Sequence, residues 1–67
     1  MPAKKLKTMI KTLRQAKGLS QRALAARVGV TAAYITMLER GKKTNPSLPT
    51  LRKLAKALGV PVTELLG

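Results

Sequence analysis

The 67-residue chain has no cysteine, no histidine, no phenylalanine and no tryptophan, and its acids are two glutamates with no aspartate. Each absence excludes something. Without Cys there is no disulfide framework, no thiolate metal site and no thiol nucleophile. Without His the commonest general base and metal ligand are gone. Two isolated carboxylates cannot build an oxygen-rich metal cage. The expected protein is therefore not an enzyme and carries no cofactor. With a single Tyr as its one aromatic residue, any core must be aliphatic. No apolar run reaches the length of a membrane span, and the basic start, Lys4, Lys5 and Lys7, leads into no signal-peptide core. The expected compartment is the cytoplasm, in association with the nucleoid.

Against these gaps stands a large excess of one charge. Fourteen Lys and Arg give a formal net charge of +12, and the pI is near 11.5. Solubility alone does not call for so much charge on so short a chain. A polyanionic partner is implied, nucleic acid before an acidic membrane surface. Apolar residues make up 45% of the chain, enough for one compact core and too many for disorder. The length predicts one domain over 1–67, with 1–3 a flexible arm.

The apolar spacing predicts five short helices and no strand. Leu6, Met9, Ile10 and Leu13 recur at helical steps from Lys4 to Lys17, where Gly18 stops them. Ser20 caps a second helix, Gln21 to Val28, ended by Gly29; Thr31 caps a third, Ala32 to Arg40, ended by Gly41. A polar loop follows, and Ser47 caps a fourth helix with apolar positions Leu48, Leu51, Leu54, Ala55 and Leu58. Pro49 is tolerable there because it falls in the first turn. A last short helix covers Val62 to Leu66.

The informative stretch is Gln21 to Arg40, where two helices meet across a very short turn. Ala25 is small enough for a close helix–helix approach, Gly29 can adopt the positive φ of a sharp turn, and Leu24, Val28, Val30, Ile35 and Leu38 anchor the pair. Those are the requirements of a helix-turn-helix, whose second helix enters the major groove. At 100° per residue, with Ile35 and Leu38 inward, the outward arc of the third helix holds Ala33, Thr36, Met37 and Arg40. Tyr34 flanks the buried stripe, its hydroxyl within reach of a phosphate. Lys42 and Lys43 are phosphate candidates in the loop beyond, and Thr31 is another because the third helix starts there with unpaired N–H groups. Of Lys4, Lys5, Lys7, Lys11 and Lys17, in or near the first helix, some face solvent away from DNA and add long-range attraction only, and Lys53 and Lys56 read as solvated charge.

With these residues in place, the chain resembles the phage repressor and Cro-type helix-turn-helix domains, the XRE family. The resemblance runs from Leu13 to Leu66 and includes G-L-S-Q at Gly18 to Gln21, L-E-R-G at Leu38 to Gly41 and L-A-K-A-L-G-V at Leu54 to Val60. It implies a transcriptional regulator or repressor that binds double-stranded DNA, as a homodimer on a two-fold operator. It places Ala32, Ala33, Thr36 and Met37 at base edges and Gln21 at a phosphate and an adjacent base. It also implies that Glu39 pairs with Arg14, which leans towards phosphate as well, and that copies associate through Val62, Leu65 and Leu66. In the family the base-reading positions commonly hold Gln, Ser or Asn; Ala and Met leave apolar contact with thymine methyls, with Thr36 able to donate or accept one hydrogen bond. The alternative class is a protein-interaction module, such as the antitoxin of a toxin–antitoxin pair. A basic membrane peptide would need no tight interhelical turn.

Overall fold

The computed structural model describes residues 3–42 and 46–66, with side chains described from Leu6 onward and not at Leu66. These residues are all-helical: α1 (Ala3–Ala16), α2 (Gln21–Val28), α3 (Ala32–Glu39), α4 (Leu48–Leu58) and α5 (Thr63–Leu66). Helix ends differ from the expected ones by a residue. Ala3, read as part of an arm, is already helical; Arg40 serves as the C-cap of α3 rather than its last turn; Val62 precedes α5.

Each of the three middle helices starts on a hydroxyl. Ser20, Thr31 and Ser47 sit in extended backbone, and their oxygens accept from the N–H of Ala23, Tyr34 and Thr50. A capping bond of this kind is worth about 1 kcal/mol. The turn from α2 to α3 is closed by Gly29 at φ +83°, whose N–H, at 2.8 Å, and that of Val30, at 3.0 Å, both donate to the Ala25 carbonyl. Nothing lies within 4 Å of where a Cβ on Gly29 would stand. Backbone conformation alone, not crowding, demands glycine there.

The core is aliphatic. Ile10, Leu24, Ile35, Leu38, Leu54 and Leu58 are fully buried, with Leu6, Ala25, Val28, Leu51, Ala55 and Leu65 around them. Helix α2 packs on α3 and α4, α1 packs on α3, α4 and α5, and α4 meets α5. One apolar residue departs from its expected place. Leu48 belongs to the α4 stripe by spacing, but at the first position of the helix it lies beyond the edge of the core and is 45% exposed. Lys17 lies across Gly59; a Cβ there would meet its ammonium at 2.7 Å. A cation is thereby placed at the negative end of the α4 dipole. Among the described residues no helix is long and apolar enough to cross a membrane.

Candidate nucleic-acid interface

One polar cluster ties the two central helices to α1. The Arg14 guanidinium, at the end of α1, donates through Nε to Glu39 Oε2 at 2.6 Å and through Nη2 to Oε1 at 3.0 Å. Its Nη1 donates to the Leu19 carbonyl at 2.8 Å. The Arg14 side chain is 11% exposed and that of Glu39 is 4% exposed. This two-pronged bond raises the Arg14 pKa above its ordinary value, partly opposed by desolvation, with the charge of Glu39 adding to the rise. A carboxylate this enclosed needs every donor it has, and Gln21 supplies another. Its Nε2 donates to Glu39 Oε1 at 3.0 Å, while its Oε1 accepts from the Thr36 hydroxyl at 2.7 Å. Thr36 Oγ also lies 3.1 Å from the Ala32 carbonyl.

The cluster changes the reading of three candidates. Gln21, expected at a phosphate and a base, has both ends of its amide engaged inside the protein. Arg14 commits three of its five N–H groups to Glu39 and Leu19, which leaves two for a phosphate. Thr36 is half-buried and its proton is directed at protein acceptors. Spacing along the sequence could not show this, because the partner of Gln21 depends on how α2 crosses α3.

The other candidates are distributed as follows. Ala33, Thr31, Arg40 and Lys42 are exposed; Ala32, Tyr34 and Met37 are half-buried, with Ala32 and Tyr34 packed against the core margin. Lys43 lies outside the described residues, and so does the side chain of Leu66. Leu65, given above as a contact between copies, is 4% exposed and fills the core of its own chain. Val62 is half-buried against the same core. Leu65 of the four-residue α5 thus faces inward.

Sequence reasoning passed over three arginines, of which Arg52 is exposed on α4. Arg22 and Arg27 are exposed on α2, and a basic residue next to the helix-opening Gln21 was the available signal. Arg27 also lines, with Lys53 and Lys56, an open cleft of about 560 Å³ floored by Ala26, Val28, Gly29 and Ala57. Among the described residues Arg14–Glu39 is the only ion pair, so no carboxylate neutralises these cations. Helix α3 itself carries no cation, and exposed cations stand on α2 and just past the end of α3, at Arg40 and Lys42.

A family model described as helix-turn-helix matches residues 10–65. The chain belongs to that helix-turn-helix family, in which y4dJ and SinR are HTH-type transcriptional regulators. The uncharacterised regulator y4dJ of Sinorhizobium fredii is 48% identical over 54 residues, 81% of this chain and 69% of that protein. SinR of Bacillus subtilis is 42% identical over 57 residues, 85% of this chain and 51% of SinR. The chain spans between 38% and 51% of three relatives, SinR included. Among solved structures, SinR in complex with DNA superposes with a TM-score of 0.87 at 39% identity, covering 92% of this chain and 98% of that one. The restriction-modification controller protein C.AhdI of Aeromonas hydrophila gives 0.87 at 41% identity, covering 94% of each chain.

Proposed function

We propose that the chain is the DNA-reading unit of a transcriptional regulator, binding duplex DNA sequence-selectively with α3 in the major groove and working inside the cell at the chromosome. It acts by binding and not by catalysis. The observation that carries this reading is the α2–α3 pair: its turn is set by Gly29, its crossing is locked by the Arg14–Glu39–Gln21–Thr36 cluster, and α3 carries no cation while Arg22, Arg27, Arg40 and Lys42 outside it are exposed. A buried polar lock of this sort holds a helix at a defined angle, which groove reading needs and a plain packing hairpin does not. Similarity to a SinR domain solved on DNA supports the same docking.

Phosphate contacts in this reading come from the exposed Arg22, Arg40 and Lys42 and from the start of α3 at Thr31, with Lys43 beside them; Tyr34 is a further candidate. Base-edge contacts fall to Ala32, Ala33, Thr36 and Met37. The working form is a dimer on a two-fold site, with recognition helices about 34 Å apart. Pairing is favoured on DNA, because two free copies at +12 each repel.

Gel-shift of the purified chain with genomic fragments, over a salt series, tests the reading. It predicts a subset of fragments retained after bulk DNA has been released by salt. Retention of all fragments alike, or of none, would overturn it.

A further inference from the structure

We propose that Thr36 reads DNA only as a hydrogen-bond acceptor, because the Arg14–Glu39–Gln21 chain turns its proton inward, and that it thereby selects an adenine or cytosine amino group. The inference rests on the groove-binding reading above and adds the chemical polarity of one contact.

The derivation starts at the ion pair. A carboxylate held by a guanidinium accepts hydrogen bonds and donates none. The atom of the Gln21 amide that stands 3.0 Å from Glu39 Oε1 must therefore be its nitrogen. The flipped amide would set oxygen against oxygen at that distance. With the nitrogen so placed, the amide oxygen faces Thr36 at 2.7 Å. An amide oxygen only accepts, so the Thr36 hydroxyl must donate. Its other near neighbour, the Ala32 carbonyl at 3.1 Å, is also purely an acceptor. Whichever of the two takes the single proton, that proton points into the protein. What the oxygen retains for a ligand is its lone pairs.

A threonine free to rotate would donate to guanine O6 or N7, to thymine O4, or accept from an amino group, and so discriminate little. Here rotation is blocked by a relay that begins at a largely buried ion pair on α1. In the major groove the donors are the adenine N6 and cytosine N4 amino groups. Thr36 is thus selective among bases although its side chain, taken alone, is not. Gln21 and Arg14 act on the readout as positioning residues that need not touch the base.

The experiment selects binding sites for the intact chain from random duplexes, then removes single atoms from the best site. Purine in place of adenine, or 2-pyrimidinone in place of cytosine, deletes only the amino group; 7-deazaadenine and 7-deazaguanine delete only the N7 acceptor. Each operator is titrated with the wild type, Thr36→Val and Thr36→Ser, whose folding is checked by thermal melts. The expected result is one base pair per half-site at which deleting the amino group weakens wild type about three- to tenfold, the size of one net hydrogen bond. Thr36→Val is indifferent to that deletion and Thr36→Ser regains the wild-type response. A Thr36-dependent loss on deleting N7, or no amino deletion whose effect depends on Thr36, overturns the inference while the selected site leaves groove reading intact. Failure to enrich any sequence overturns both, and shows before an analogue is made.

Discussion

Helices α2 and α3 make an instructive pair. Each has eight residues, each starts on a hydroxyl cap, and each feeds the same core. Their outer surfaces differ. Helix α2 presents Arg22 and Arg27 to solvent, whereas α3 carries no cation until Arg40, just past its end, and presents Ala33 beside the half-buried Thr36 and Met37. In the proposed reading, attraction to a polyanion and discrimination among bases lie on different elements: exposed charge outside α3 binds any duplex, and the uncharged face decides which duplex is kept.

The largest effect that could break this division is the response to salt. A dimer that neutralises roughly 6–10 phosphates loses ~10³–10⁵ in affinity between 50 and 200 mM salt. Fluorescence anisotropy on one operator across that range measures it. A slope near zero would mean that the flanking cations are only solvated. Arg22→Ala should lower the slope by about 1 and weaken specific and non-specific duplexes alike. Weakening confined to one sequence would move α2 from attraction to reading.

Next in size is the lock between the two helices. Arg14→Ala leaves Glu39, whose side chain is 4% exposed, with Gln21 as its remaining donor. Breaking a buried pair costs on the order of 3–5 kcal/mol, and the surviving Gln21 bond points to the low end. Urea melts should show it, with partial recovery in Arg14→Ala/Glu39→Gln. A single variant as stable as wild type would remove the lock. The pair also sets a pH dependence. The folded-state pKa of Arg14 is raised, so its stabilisation is complete below the unfolded value and lost only as pH climbs through the folded one. Melts from pH 6 to 9 should therefore show no change traceable to Arg14.

Smaller again is the turn. At φ +83° a valine is strained, yet a Cβ there meets nothing within 4 Å. Gly29→Val should cost about 1–2 kcal/mol through backbone strain alone, and Gly29→Asn less, since Asn tolerates the left-handed region. Equal losses for both variants would point to crowding instead.

Much of this arrangement was legible in the sequence because it is local. Caps, helix stops and the Gly29 turn depend on residues a few positions apart, and Ser20, Thr31, Ser47 and Gly29 take the places their chemistry dictates. What depends on the angle between elements was not legible. The Gln21 amide is engaged inside the protein because α3 brings Glu39 and Thr36 to it from 18 and 15 residues away. Leu65 enters the core because the four-residue α5 docks on α1 and α4. Leu48 fits the α4 period but lies past the rim of the core, where periodicity carries no information.

The smallest effect is the most direct test of the division between flank and face. Uracil in place of thymine removes one methyl group from the major groove and leaves every hydrogen-bonding atom unchanged. A buried methyl is worth about 0.8 kcal/mol, close to fourfold in affinity. Affinities of wild type, Met37→Ala and Lys42→Ala are measured on a selected operator and on its uracil counterpart, at two salt concentrations. Wild type should favour the thymine operator; Met37→Ala should lose that preference by weakening on thymine alone; Lys42→Ala should weaken on both equally and flatten the salt response. Equal wild-type affinity for the two operators, with Met37→Ala silent on each, would contradict the assignment of selectivity to the apolar face of α3.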